Sequence, residues 1–316
     1  MFPGGGTPRE PGWHRDRSQP MHQAKTFIIP TRDVHPVLAD WYAPLTGSGA
    51  VRRVVVMCHG FKGHRRWGFI PLVAARLASS GFGALSIDFS HNGRVRADAS
   101  AGVDFVAPDL FRANTIAREL DDLAHVLAWV RDGARGGRAL ELDPGAVLGL
   151  WGHSRGGVVA ILTALSDPGI VALATWSASA HPDHFTPRQK AIWRERGELA
   201  FKDYASGTSL SMDAALLDDI EHHHDAYAAA ERSRDLAIPH LIVHGEHDPT
   251  VPVADSYRYY DTPTIRADKK LLRLLTGHTY GYEDGFIASE ALENATKATV
   301  EWYGTYLRAA PPRAEG

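Results

Sequence analysis

A serine lies in a short cluster of small and polar residues between two apolar runs. The segment LGLWGHSRGGVVAILTAL, residues 148–165, places Ser154 between Gly152 and Gly156 in the pattern G-x-S-x-G. Two interpretations are open: a glycine-rich turn between buried elements, or a serine held on a sharp turn with its hydroxyl available for nucleophilic attack. The second interpretation requires a strand before the serine and a helix after it.

Nucleophilic attack by a serine requires a general base, and the chain offers 17 histidines. The runs PHLIVHGEHDPTVP and KKLLRLLTGHTYG end two late strands with Asp248 and His278. In the chain order Ser, acid, His, His278 would accept the serine proton and Asp248 would orient the imidazole. His278 is the only histidine after Asp248, whereas Glu246 and Asp255 remain alternative acids.

Acyl transfer also needs two N–H groups to stabilise an oxyanion. The backbone N–H of Arg155, directly after the serine, is one candidate. Phe61, in the loop CHGFKG, is the other, because the preceding Gly60 lets the backbone approach closely. His59 is expected to brace this loop, and Cys58 to be a small core residue.

Large aromatic side chains near these segments could line a pocket for an aryl or medium-length acyl group. The alternative is that these aromatic residues belong to the core, where large aromatic side chains are more often found. The candidates for the substrate pocket are Trp67, Phe89, Trp176, Trp193 and Tyr280.

Histidine-rich stretches at 181–184 (HPDH) and 221–225 (EHHHD) suggest a metal site at first sight. Three adjacent histidines on a helix point in different directions, and a proline interrupts the first stretch. The sequence contains no H-E-x-x-H pattern, no Walker A motif and no dinucleotide fingerprint. We therefore expect neither a metal nor a cofactor.

The overall composition is that of an ordinary globular protein, with 316 residues, 44% hydrophobic and 22% charged. A net charge of −3 provides no basic field for nucleic acid or anionic lipid. The single cysteine excludes an internal disulfide and fits a cytoplasmic location. No apolar run approaches the roughly 18 residues of a membrane span. We expect a small-molecule ester as the partner, and leave open whether the chain forms a homo-oligomer.

Short β-branched runs alternate with helical patterns, which predicts a parallel sheet with helices on both faces. The predicted strands are RRVVVMCHG, GALSIDFS, AVLGLWGH, IVALATWSAS, PHLIVHGEHD and KKLLRLLTGH. The predicted helices are FIPLVAARLASSG, DLFRANTIARELDDLAHVLAWVRDG, RGGVVAILTALSD and roughly 287–307. AKTFIIPT and VLADWYAP predict an antiparallel hairpin at the sheet's edge. Ser154, Asp248 and His278 would then share the carboxyl edge of the sheet.

About sixty residues separate IVALATWSAS from PHLIVHGEHD, where one crossover helix needs about a dozen. TPRQKAIWRERGELAFKDY and SMDAALLDDIEHHHDAYAAAERS predict two cap helices, inserted at about 181–234, that roof the carboxyl edge of the sheet. Their apolar faces would carry Ile192, Leu199, Phe201, Leu216, Leu217 and Ile220. Residues 1–22 are predicted to be a disordered tail, and 23–316 a single domain that contains the cap.

The loop around Phe61, the Gly152–Gly156 motif, Asp248 and His278 together resemble the α/β-hydrolase superfamily over roughly residues 25–310. CHGFKG, IDFSHNG and GHSRGG are similar to the group of dienelactone-hydrolase-like proteins, cinnamoyl and feruloyl esterases, and serine aminopeptidase-like hydrolases. The resemblance implies the α/β-hydrolase fold, the catalytic triad, both oxyanion donors and a cap. Dienelactone hydrolases proper have a cysteine where this chain has Ser154.

These observations predict a carboxylic-ester hydrolase that works through an acyl-enzyme intermediate. A peptidase, a thioesterase or a lactonase could use the same three residues. A non-catalytic binding module on the same fold is the alternative from another class.

Overall fold

The computed structural model describes most of the chain. The described residues are 24–46, 49–94, 107–202, 209–264, 267–282 and 289–308. The predicted disordered tail, residues 1–22, lies outside them.

Eight of the ten described strands form one sheet in the order β1-β2-β4-β3-β5-β6-β9-β10. The strands are β1 Lys25–Ile29, β2 Val37–Tyr42, β3 Val51–Cys58, β4 Gly83–Asp88, β5 Leu142–His153, β6 Ile170–Trp176, β7 Glu198–Lys202, β8 Ser209–Asp213, β9 His240–Gly245 and β10 Lys269–Leu274. β2 runs antiparallel to both of its neighbours, and the strand pairs from β4 to β10 are parallel. The sequence prediction of a parallel sheet with a hairpin at its edge is confirmed.

Helices cover both faces of this sheet. The described helices are α1 Ile70–Ser79, α2 Pro108–Arg112, α3 Ile116–Arg131, α4 Arg155–Ser166, α5 Pro187–Arg196, α6 Ala214–His222, α7 Ala229–Arg232, α8 Ala254–Asp261 and α9 Glu290–Tyr306. Of these, α5 and α6 belong to the segment between β6 and β9 and pack against β7 and β8 rather than on the large sheet. On one face, Leu123 of α3 and Val158 of α4 pack in the core; on the other, Val73 of α1 and Leu292 of α9 do. This arrangement buries the central strands from both sides, which explains why they read as continuous apolar runs.

The predicted helix from 109 to 133 is divided into α2 and α3. The hydroxyl of Thr115 caps α3 by accepting a hydrogen bond from the backbone N–H of Arg118. α3 ends at Arg131, and Gly133–Gly137 adds a single π-helical turn. The sequence analysis did not identify α8.

The segment between β6 and β9 contains a hairpin that the sequence analysis did not predict. Gly197 adopts a φ of 72° at the end of α5, and the chain continues as β7, which pairs with β8. The prediction that Leu199 and Phe201 lie on a helix is therefore wrong. The alternation in ELAFK has the period of two that a half-buried strand requires, and β8 leads directly into α6.

Candidate active site

Ser154 occupies the turn between β5 and α4. Its backbone adopts a φ of 54° and a ψ of −125°, a region that side-chain-bearing residues rarely occupy. Its N–H donates to the carbonyl of Trp176 (2.9 Å), and its own carbonyl accepts from the N–H of Gly157 (2.9 Å). The neighbouring strand β6 and the first turn of α4 thus hold the strained turn in place.

Glycines let three segments meet around this serine. A Cβ on Gly152 would lie 2.3 Å from the carbonyl oxygen of Gly156, and a Cβ on Gly156 would lie 2.3 Å from that of His59. A Cβ on Gly60 would lie 2.9 Å from the Cβ of Ser154. The loop after β3 therefore packs directly against the serine turn, and a larger residue at these positions would separate them.

Asp248 and His278 follow β9 and β10 and pair with each other. His278 Nδ1 lies 2.7 Å from Asp248 Oδ2, and the N–H groups of Thr250 and Val251 donate to Asp248 Oδ1, both at 2.8 Å. Burial alone would raise the pKa of Asp248, but the hydrogen bond and charge of His278, with these backbone N–H groups, lower it below the usual value.

The ionised state of Asp248 determines the tautomer of His278. An ionised carboxylate only accepts hydrogen bonds, so the proton of the neutral imidazole is on Nδ1. Nε2 is then left as an acceptor, which is the form that a general base needs. The Asp248 side chain is fully buried, whereas that of His278 is 14% exposed.

His153, the residue before Ser154, joins His278 to the serine turn. The two imidazole rings have centroids 4.6 Å apart, and His153 Nε2 donates to the backbone carbonyl of His278 at 3.1 Å. Burial lowers the pKa of His153 well below its usual value, so this ring is neutral. The structure thus brings Ser154, Asp248 and His278 to the same edge of the sheet, as the sequence predicts.

The alternative acids make other contacts. Asp255 accepts a hydrogen bond from the N–H of Ala180 at 2.8 Å. Glu246 pairs with Arg273 at 3.1 Å, and both side chains are partly exposed. Of the three acids considered, Asp248 is the one that contacts His278.

The two candidate oxyanion donors lie next to Ser154 on different segments of the chain, the loop after β3 and the start of α4. Phe61 and Arg155 both line the same cavity as Ser154, and in the described chain neither backbone N–H takes part in a hydrogen bond. His59 braces the loop: burial lowers its pKa to about 4, so the ring is neutral. Nδ1 then donates to the carbonyl of Gly60 (2.8 Å), and Nε2 accepts from the N–H of Phe89 (3.2 Å).

A cavity of about 430 Å³ opens next to Ser154, between the sheet edge and the segment 177–239. Most of its wall is apolar. The aromatic rings of Phe185 and Phe201 belong to the inserted segment, as do Leu216 and Ile220. A cavity of this size and character suits a medium-sized apolar group.

None of the five aromatic residues predicted for the substrate pocket lines this cavity. Trp176 and Tyr280 are fully buried, and both rings pack against Phe69. Trp67 stacks on His153 at 5.5 Å.

Phe89 and Trp193 are also core residues. Phe89 packs against His59, with ring centroids 5.0 Å apart. Trp193 is fully buried within the inserted segment, where its indole N–H donates to the carbonyl of Met212 at 2.8 Å. Its ring packs edge-on against Phe185, so it supports the cavity wall from behind. The alternation around Phe201 was the signal that could have identified a pocket residue.

The histidine-rich stretches make local contacts. His181 Nε2 donates to the carbonyl of His224 at 2.8 Å, and His223 Nδ1 lies 3.0 Å from Asp219. The described ranges hold no group of three or more His, Cys, Asp or Glu side chains that could bind a metal ion. Cys58 is fully buried, and burial raises the pKa of its thiol, as befits a core residue.

No family model matches this chain, and no curated protein matches its sequence. Solved structures do match. Est1E from Butyrivibrio proteoclasticus superimposes with a TM-score of 0.58 at 19% identity, over 88% of this chain and 99% of its own. A dienelactone hydrolase from Anabaena variabilis superimposes with a TM-score of 0.55 at 17% identity, over 91% of this chain and 100% of its own. Mouse alpha/beta hydrolase domain-containing protein 10 superimposes with a TM-score of 0.62 at 15% identity, over 88% of this chain and 98% of its own.

This chain has the α/β-hydrolase fold. The structural neighbours include esterases and dienelactone hydrolases, the groups that CHGFKG, IDFSHNG and GHSRGG resemble. Est1E has also been solved with ferulic acid bound. Within the described ranges, no helix combines the length and the apolar character needed to cross a bilayer.

Proposed function

We propose that this α/β-hydrolase-fold protein is a serine hydrolase that cleaves carboxylic esters through an acyl-enzyme intermediate. The observation that carries the proposal is the strained turn at Ser154, beside an apolar cavity and joined through His153 to the hydrogen-bonded pair Asp248–His278. The esterases among the structural neighbours support the same reaction class.

In the acylation step, the neutral Nε2 of His278 removes the proton from the Ser154 hydroxyl as its oxygen attacks the ester carbonyl carbon. The carbonyl oxygen becomes an oxyanion, which the N–H groups of Phe61 and Arg155 stabilise by hydrogen bonds. His278 then donates the proton to the alkoxide leaving group as the C–O bond breaks. The alcohol departs, and the acyl group stays on Ser154.

In the deacylation step, His278 removes a proton from a water molecule, which attacks the acyl carbon. The same two N–H groups stabilise the second oxyanion. The bond to the Ser154 oxygen breaks, and that oxygen takes the proton back from His278, releasing a carboxylic acid. Throughout, Asp248 stays ionised and stabilises the imidazolium form, because its carboxylate accepts a hydrogen bond from the Nδ1–H of His278.

The apolar cavity supports an acyl group of medium size, with the rings of Phe185 and Phe201 against it. Peptides, thioesters and lactones could react through the same three residues, and an ester is proposed because esterases are among the neighbouring solved structures. The domain boundaries stay a proposal: one domain over 23–316, with a cap at about 181–234. The cytoplasmic location and the oligomeric state remain predictions.

The test is Ser154→Ala, assayed with p-nitrophenyl butyrate. We expect kcat to fall by about 10⁴-fold or more, because triad members act as a unit. A fluorophosphonate probe should label the wild type and leave Ser154→Ala unlabelled. The matched control is Ser166→Ala, an exposed serine at the far end of α4, which should retain the wild-type rate.

Two results would contradict the proposal. An active Ser154→Ala enzyme would exclude this serine as the nucleophile. A folded wild type that neither hydrolyses esters, thioesters, lactones and aminoacyl amides nor reacts with the probe would favour the non-catalytic binding module.

A further inference from the structure

Arg155 and Phe61 contact each other through their side chains as well as flanking the serine. The Arg155 guanidinium lies over the Phe61 ring, 4.7 Å from its centroid. The two residues whose backbone N–H groups are the proposed oxyanion donors are therefore also in contact through their side chains. The contact links the loop after β3 to the first turn of α4.

A buried carboxylate holds this guanidinium in place. Arg155 Nη2 donates to Glu119 Oε1 of α3, and the Glu119 side chain is 1% exposed. Glu119 Oε1 also accepts from Asn114 Nδ2 at 2.7 Å, between α2 and α3. The Arg155 side chain is 11% exposed, although a side chain of this length on a first helical turn could extend into solvent. Burying such a pair costs free energy, so a buried ion pair is poorly explained by stability alone.

The Phe61 ring is held from other directions as well. It packs against Phe111 of α2 at 5.4 Å and against Phe201 of β7 at 5.1 Å. Arg155 covers a further part of the same ring. The position of the loop that carries the Phe61 N–H therefore depends on contacts from α2, from the inserted hairpin and from Arg155.

The spacing between the two N–H groups matters for the reaction. Oxyanion donors act at about 2.7–3.1 Å from the charged oxygen, and a displacement of about 1 Å can cost 10²-fold in rate. The Phe61 and Arg155 N–H groups belong to different segments of the chain, so no single helix or strand determines the distance between them. The Arg155–Phe61 contact directly joins the side chains of the two residues whose N–H groups are the proposed donors.

We propose that Glu119 and the Arg155 side chain are positioning residues, which hold the Phe61 and Arg155 N–H groups at the spacing that an oxyanion requires. The inference rests on the proposed function and deepens it. Glu119 acts through Arg155, and the Arg155 guanidinium acts through the Phe61 ring. A substitution at Arg155 removes the guanidinium but keeps the backbone N–H, so it tests the positioning role alone.

The test compares Arg155→Met with the wild type on a p-nitrophenyl ester and on the matching thionoester, in which sulfur replaces the carbonyl oxygen. Sulfur is larger and accepts hydrogen bonds more weakly, so the thionoester gains less from a well-placed pair of donors. We expect kcat on the oxygen ester to fall by about 10–100-fold with KM changed less than threefold. The ratio of kcat/KM between the oxygen ester and the thionoester should fall about tenfold.

Glu119→Gln keeps the inference testable if Arg155→Met fails to fold, and the double variant tests whether the two residues act in series. Glu119→Gln preserves the shape of the side chain and an oxygen for Asn114 but removes the charge, and should shift the ratio in the same direction by about threefold. Glu119→Gln combined with Arg155→Met should cost no more than Arg155→Met alone, because one residue acts through the other. The matched control is Arg131→Met, which breaks an ion pair with Asp167 at the other end of α3 and should leave the ratio unchanged.

Each contrary result has a distinct meaning. If kcat/KM falls equally on the oxygen ester and the thionoester, Glu119 and Arg155 have only a structural role, and the inference is overturned. A change of KM confined to esters that carry a carboxylate would instead make Arg155 a substrate-binding cation. A wild type that hydrolyses no ester overturns the proposed function, whereas an active wild type with an unaffected Arg155→Met overturns this inference alone.

Discussion

Asp122 is a buried carboxylate that should destabilise the fold at neutral pH. It lies on α3 and is 4% exposed, and its Oδ2 accepts a hydrogen bond from the N–H of Ser90 at 2.7 Å. Burial raises the pKa of Asp122 from 3.8 to about 7, reinforced by the charges of Glu119 and Asp121 and partly offset by the hydrogen bonds from Ser90. No cation compensates for the charge among these contacts.

The pKa difference gives both the sign and the size of the effect. Below about pH 4, Asp122 is protonated in the folded and the unfolded chain, so its titration does not change the free energy of unfolding. As the pH rises from about 4 to about 7, the unfolded chain releases the proton while the folded chain retains it, and stability falls. Above pH 7 the loss is complete, at about 4 kcal/mol for a pKa that moves from 3.8 to about 7.

Asp122→Asn removes the titration while keeping an oxygen that can accept the Ser90 hydrogen bond. The difference in melting temperature between Asp122→Asn and the wild type should grow progressively from pH 4 to pH 8. At about 2 °C for each kcal/mol, the gain in melting temperature should reach up to about 8 °C at pH 8 and vanish near pH 4. The measurement is a series of thermal unfolding scans on both proteins across this pH range.

The adjacent Asp121 provides the matched control. Its side chain is 46% exposed, so Asp121→Asn should change the melting temperature by about 1 °C or less at every pH. If Asp122→Asn changes stability by the same amount at pH 4 and pH 8, the Asp122 carboxylate does not titrate as this reasoning requires. A lower melting temperature at pH 8 would likewise refute it.

Four further substitutions test the site, the cavity and its support. Asp248→Asn should lower kcat/KM by about 10⁴-fold, because an amide favours the wrong His278 tautomer, whereas Glu246→Gln should change it less than twofold; the reverse pattern would identify Glu246 as the acid. Phe185→Ala should lower kcat/KM for octanoyl esters more than for acetyl esters, since its ring lines the cavity; an unchanged chain-length ranking would contradict this. Trp193→Ala should cost about 3–5 kcal/mol of stability, measured by urea unfolding, because its indole is fully buried; an unchanged stability would contradict its place in the core.

The polar part of the site was predictable because its signals are local. The glycines around Ser154 mark a turn wherever they occur between a strand and a helix pattern. Asp248 and His278 each follow an apolar run, and the carboxyl ends of parallel strands meet at one edge of the sheet. The position of each residue relative to its strand was therefore enough to predict that these three residues lie at the same edge of the sheet.

The pocket was not predictable in this way. Whether an aromatic ring lines a cavity depends on the direction of its side chain and on what packs over it. Trp176 and Trp193 were candidates by size and sequence position, yet both are fully buried in the core. Phe201 lines the cavity because Gly197 turns the chain out of α5 into a hairpin, whereas Phe185 lines it from the segment before α5.

The sequence by itself determined the alternation of strands and helices, the serine turn and the acid–histidine pair, since each depends on a short pattern or on a strand end. Only the tertiary structure decided which apolar side chains face the cavity, and that Glu119 reaches Arg155 across 36 positions of the chain. Contacts of that kind depend on how helices from separate parts of the chain pack together. The pattern within any one segment does not encode that packing.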